Sequence, residues 1–145
     1  MSLPQTLDPD ASLAAPARIL FTLERANRAL PYVGRVVADV RETYARIVGL
    51  RRELEAAPTP EAGADLEAAY AKAMDRLGDL VDELHAVGVE LRDFERGEVD
   101  FPALSEGGEV SLCWSPEQEA IAQWRDDEPG ARARPIATLP GLLAA

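Results

Sequence analysis

The 145-residue sequence predicts an α+β fold, in which a long antiparallel helical hairpin packs with a small antiparallel β-sheet of three to four short strands in the C-terminal part. Three observations carry this. Val33, Val37, Val40, Tyr44, Ile47 and Leu54 fall on alternating steps of four and three, with Arg51 at the one failed position. Leu66, Tyr70, Ala73, Leu77, Leu80, Leu84 and Val87 repeat the pattern without failure. Such steps mark helices with a coiled-coil-like seam. After Gly88 the period drops to two, the signature of strands.

Residues 1–20 carry Asp8 and Asp10 where a secretory signal would be basic, and Pro4, Pro9 and Pro16 interrupt the apolar stretch. They read as a flexible leader, and the protein as cytoplasmic. A single domain is expected over 21–136. Its first helix spans 21–57, with Thr22 as N-cap and Glu24 on the positive end of the helix dipole. Pro31 removes a backbone donor and crowds the Asn27 carbonyl, so a kink or brief break is expected there. Pro58, Thr59, Pro60 and Gly63 end this helix and start the second, 61–87. Each seam covers about 33 Å of helix at 1.5 Å per residue, and a short connector between equal seams makes an antiparallel hairpin.

The sheet is expected over 88–125. Val89 and Leu91, Val99 and Phe101, and Val110, Leu112 and Trp114 alternate with polar or small residues. Gly97 and Gly107-Gly108 lie between these runs, where tight turns need positive backbone angles. Ser115-Pro116-Glu117-Gln118 has the form of a helix start, with Ser as N-cap and Pro in first position. Ile121 and Trp124 nevertheless sit in a segment short enough to be a fourth strand. A polar turn and an arginine-containing segment follow over 126–136, and 137–145 reads as a frayed tail.

Composition narrows the function classes. Fifteen Lys and Arg against 26 Asp and Glu leave a net charge of -11. That argues against a nucleic-acid binder, whose general affinity comes from basic groups on phosphates. One cysteine excludes an intramolecular disulfide and any zinc site needing two thiolates. No apolar run approaches the roughly 20 residues that span a bilayer.

Several blocks carry a family resemblance. The opening Phe21-Thr22-Leu23-Glu24-Arg25-Ala26-Asn27-Arg28-Ala29-Leu30-Pro31 is joined by Gly88-Val89-Glu90-Leu91-Arg92-Asp93, Val99-Asp100-Phe101-Pro102-Ala103-Leu104 and Val110-Ser111-Leu112-Cys113-Trp114. Together they resemble a bacterial family known as a domain of unknown function, number 2203, over roughly residues 20–136. The resemblance brings no activity with it. Its pattern continues with a strand ending in Tyr-Trp-His, then a Gly-Phe-x-Gly-Arg-x-Pro-Ile-like segment. This chain has Gln123-Trp124-Arg125, then Gly130 to Ile136. The spacing implies a strand over Glu119 to Arg125. Arg125 stands where the family has His, so no catalytic or metal role carries over to it.

Candidate chemistry is sparse. His85 shares a helix face with Asp82, but a carboxylate-bridged metal site needs further acids and a second His. Asp75, Asp79, Asp82 and Glu83 read as a solvated helix back, because exposed acids have nothing to split their pKa values. Cys113 lacks the nearby His or helix N-terminus that would activate a thiol, and reads as structural. No catalytic residue, metal site or cofactor is therefore assigned. The remaining binding candidates are Arg125, Arg132 and Arg134, able to grip a phosphate or carboxylate, with Trp114 and Trp124 as a stacking wall. The competing reading pairs these arginines with the chain's own surplus acids and puts both tryptophans in the core.

Three functions follow. The preferred one is a non-enzymatic interaction or scaffold module acting through the hairpin, with a possible protein partner. The alternatives are a small-anion binding protein built on the Arg/Trp cluster, and an unrecognised enzyme. The apolar stripe is wider than a two-helix seam needs. Some of Val36, Leu50, Met74 and Val81 should therefore stay uncovered and form a homodimer interface.

Overall fold

Thr22 opens the first helix by accepting a hydrogen bond from the Arg25 backbone N–H at 3.1 Å. In the computed structural model, which describes residues 19–142, this helix, α1, spans Leu23–Glu55. It runs on through Pro31 without a break. Pro31 sits on the exposed face, where a missing intrahelical bond can be met by water. Thr59 caps α2, Pro60–Ala86, by accepting from the Ala62 N–H at 3.1 Å, and Pro60 occupies the favoured first turn. The expected leader lies outside the described residues apart from Ile19 and Leu20.

The two helices pack against each other along the expected seams. Val33, Val37, Val40 and Ile47 of α1 are buried, as are Ala73, Leu77, Leu80 and Leu84 of α2. Gly88 then turns the chain with a φ of 87° into the sheet.

The sheet has five antiparallel strands rather than three or four: β1 Glu90–Asp93, β2 Glu98–Ser105, β3 Gly108–Trp114, β4 Gln123–Asp126 and the two-residue β5 Arg134–Pro135. They lie in chain order, each paired with the next. Val99, Phe101, Val110, Leu112, Trp114 and Trp124 are buried in the same core cluster as the helix seams. An α+β unit with one core results.

The contested stretch is neither a helix nor a seven-residue strand. The Gln118 N–H donates to the Ser115 carbonyl at 3.0 Å, and the Gln118 side-chain oxygen accepts from the Ser115 N–H. The start signal is thus used for a single turn. The Trp114 indole donates to the Gln118 carbonyl at 2.9 Å, and Asn27 of α1 accepts from the Ile121 N–H at 2.8 Å. These bonds hold the chain away from a helical path until β4 begins at Gln123.

Pro102 sits well inside β2, where its missing N–H would be costly between two full partners. β1 pairs only as far as Asp100, so β2 is an edge from Phe101 onward. The chain ends cover that edge. Phe21 donates to the Pro102 carbonyl at 2.7 Å, Glu106 donates to the Gly141 carbonyl at 2.9 Å, and Leu142 bridges Ser105. Residues 136–138 form a short 3-10 helix, and beyond it Gly141 and Leu142 meet the end of β2.

Gly97, in the β1–β2 turn, has a φ of 74°, and a Cβ placed on it would lie 2.6 Å from Val37 Cγ1 and 2.9 Å from Arg41 Cδ. This glycine lets the sheet approach α1. Gly97→Ala should cost roughly 1–3 kcal/mol from backbone strain alone, with the steric conflict adding to it. Urea unfolding should show a lower midpoint at an unchanged slope.

Candidate functional site

Alternation along β2 and β3 sends successive side chains to opposite faces of the sheet. Val99 and Phe101 face inward opposite Trp114 and Leu112. Asp100 therefore points outward, directly opposite Cys113, which in turn lies opposite Gln123 of β4. An outward acid on a sheet would ordinarily be solvated. Here the Asp100 side chain is only 6% exposed.

Two arginines enclose it. Arg125 of β4, 16% exposed, donates from Nη2 to Asp100 Oδ2, and Arg92 of β1 brings its Nε to 3.6 Å from the same oxygen. Asp100 Oδ1 and Arg125 Nε are buried without a partner. Burial pushes the Asp100 carboxyl above the usual carboxylate range, against the pull of Arg125 and Arg92. Burial prevails over both arginines and over a hydrogen bond from Cys113, and the Glu90 carboxylate adds to the rise. For Arg125, burial works against the charge, but Asp100 and Cys113 outweigh it and the guanidinium is held more firmly protonated. The Cys113 thiol is pushed up by burial and by the Asp100 carboxylate. It is the wrong state for a nucleophile.

A cavity of about 110 Å³ opens beside this cluster, lined by Arg92, Glu98, Asp100, Cys113, Gln123 and the Ser115–Gln118 turn among others. Its walls are rich in hydrogen-bonding groups of both senses.

The raised Asp100 value fixes a pH dependence. The folded chain keeps this proton to a higher pH than the unfolded chain, whose carboxyl titrates near 3.9. The Asp100 contribution is therefore most favourable below about pH 4 and is lost as pH rises through the folded value. Asp100→Asn removes that slope. Its stability relative to the parent should rise between about pH 4 and the folded value, measured by denaturant unfolding at stepped pH.

The expected arginine–tryptophan cluster is distributed differently. Arg134 bonds Asp126 at 3.0 Å and lies 5.0 Å over the Trp124 ring. Arg132 is exposed. Trp114 and Trp124 are buried, and the Trp124 indole donates to Thr138 Oγ1 at 3.0 Å. Arg125 joins the Asp100 pair instead. The arginines thus meet the chain's own acids. Among the proposed interface residues, Val36 and Leu50 are buried within the chain, Val81 is half-buried and Met74 is 44% exposed.

His85 and the acids Asp75, Asp79, Asp82 and Glu83 are exposed on α2, and Glu83 accepts from the Tyr32 hydroxyl at 2.9 Å. Among the described residues, no group of three or more His, Cys, Asp or Glu could hold a metal ion. None of the described helices is long and apolar enough to cross a membrane. Sequence reasoning missed Asp100 and Arg92. The available signal was an acid flanked by Val99 and Phe101 in a strand, but only the pairing register shows what faces it.

A second surface feature lies at the sheet's border with α1. Tyr44 stacks on Phe94 of the β1–β2 turn, with ring centroids 5.8 Å apart and planes within 14°. Phe94 remains 38% exposed. Alongside runs a shallow groove formed by Arg41, Tyr44, Ala45, Val48, Gly49 and Arg52, among others.

Residues 19–136 match the family described as "Uncharacterized conserved protein (DUF2203)", and the chain belongs to that family. No curated protein and no solved structure matches it.

Proposed function

We propose that this member of the family is a protein-interaction module, and that the distal half of its hairpin docks on a second copy of the chain. The observation that carries this is the unequal charge of the two helices beside an uncovered apolar face. Helix α1 holds seven arginines against five acids, whereas α2 holds seven acids against two basic residues. A twofold axis relating two hairpins sets α1 of each against α2 of the other, so opposite charges meet twice.

The apolar part of the contact is on the same side. Tyr44 marks the sheet side of α1 by stacking on Phe94. Arg51 reaches across to the Tyr70 hydroxyl at 3.1 Å. Met74 stands one turn beyond Tyr70 on α2, on the neighbouring part of the same face. The sheet does not cover it. The second copy fills the groove along Ala45, Val48 and Gly49, in place of a dimer through Val36 and Leu50.

Light scattering after size exclusion, at micromolar concentration and moderate salt, should give twice the 15.7 kDa chain mass. Met74→Glu should return the monomer with helix content unchanged, because its charge would be desolvated only at the interface. Raising salt should weaken association as the helix charges are screened. A monomeric parent at every concentration and salt overturns the reading. The geometry favours it over anion binding by Arg125, Arg132 and Arg134, two of which already hold acids of the chain.

A further inference from the structure

We infer that β1 is a pH-controlled latch: loss of the Asp100 proton lifts Glu90–Asp93 from β2 while the rest of the sheet stays folded. The charge is formed where water does not reach it. The Asp100 side chain is 6% exposed, and its Oδ1 is buried without a donor. Arg125 of β4 bonds only Oδ2. An ionised carboxylate with one oxygen unmet costs more in such a place than the neutral acid does.

β1 is the strand that can give way. It pairs with β2 at three positions, and the register skips Arg92 between Leu91 and Asp93. Among the described strands none pairs with its other edge. Across the pair the charges are unevenly matched. Glu90 stands directly opposite Asp100, and like charges so placed repel. Arg92 attracts Asp100 from 3.6 Å, but at 43% exposure solvent screens much of that pull. Glu98, on β2 itself, lines the same depression with a further acid. Cys113 of β3 offers Asp100 a weak thiol hydrogen bond. Arg125 and Cys113 stay beside Asp100 whether or not β1 is paired.

Ionisation therefore loads β1 alone. It sets a second negative charge against Glu90 and leaves an oxygen unsolvated, and lifting β1 relieves both by admitting water. Burial, with Glu90 adding to it, makes closed Asp100 keep its proton to higher pH than a solvated carboxyl, which titrates near 3.9. By linkage, the open form gains population as pH rises between those two values. The lift stays local because the flanks are tied elsewhere. Val89 is fully buried and donates to the Leu84 carbonyl at 2.9 Å. Arg41 of α1 donates to the Glu95 carbonyl at 3.0 Å.

Amide hydrogen exchange of the full chain, read by NMR from pH 4 to 8 and divided by the intrinsic rate, tests the latch. The slowest amide within Glu90–Asp93 should open at least about tenfold more often than the slowest amides of β3, the mark of a local event. Its opening should grow by up to about tenfold per pH unit above pH 4 and level off past the Asp100 value. Asp100→Asn, neutral at every pH, should abolish the rise. Glu90→Gln, at an exposed side chain, should shrink it. The inference is overturned if β1 exchanges no faster than β3, or if its opening shows no rise with pH. It is equally overturned if Asp100→Asn keeps the parent's rise. Should Asp100→Asn not fold, Glu90→Gln decides, and a rise unchanged from the parent overturns the latch.

Discussion

Phe101→Ala should lower the unfolding free energy by about 3–5 kcal/mol, the range for deleting a large aromatic ring from a closed core. Phe101 is fully buried at the centre of β2, opposite Leu112 of β3. Its ring meets Phe21 edge-on, with centroids 5.1 Å apart and planes at 87°. The Phe21 backbone is itself tied to Pro102, so collapse into the cavity would strain the strand and the chain entry together. Both tryptophans lie in the sheet region, while most of the far-ultraviolet signal comes from α1 and α2. Tryptophan fluorescence and ellipticity at 222 nm should therefore lose their native values at one shared, lowered midpoint. Helical signal outlasting the fluorescence change would show that the hairpin folds apart from the sheet.

Asp100→Ala should cost roughly 3 kcal/mol, near the lower end for breaking a buried pair. It leaves Arg125, 16% exposed, with no counter-charge in the cluster. Arg92 is 43% exposed and can turn to water, which keeps the cost from the upper end. Replacing both partners, Asp100→Leu with Arg125→Met, should recover most of the loss, because a pair of apolar groups needs no solvation. Urea unfolding of the two single variants and the double variant forms the cycle that measures the coupling. Additive losses would place the stabilising effect of Asp100 elsewhere, in Arg92 or Cys113. A recovering double variant also shows that the ion pair is not needed for stability.

The hairpin was legible in the amino-acid sequence because helix seams are local. Steps of three and four from Val33 to Leu54 and from Leu66 to Val87 specify which face is buried, whatever lies against it. The strands β1 to β3 were legible for the same reason, with Gly88, Gly97 and Gly108 at the turns. The family blocks also placed β4 close to where it occurs, although their spacing began it too early. What remained hidden depends on distant residues. Asn27 reaches Ile121 across the fold, and this decides that the Ser115 turn stops after one turn. Phe21 and Leu142 flank β2 where β1 ends, which makes Pro102 tolerable inside a strand. Val36 and Leu50 lie beside the helix seam in sequence, and only the assembled core shows that they are buried in it.

The site shows the division most clearly. Arg125 was singled out by its charge, and its partner could not be read from spacing. Asp100 and Arg125 are 25 residues apart and meet through β3, which pairs with both of their strands. Sequence alone determined the residue types, the helix faces and the period of the strands, because each is set by neighbours within a few residues. Tertiary structure decided the sheet register, and register decides which side chains share a face. A shift of one residue would send Asp100 inward and Phe101 to solvent. The burial of Asp100, its unmet oxygen and the cavity beside it all follow from that one long-range choice.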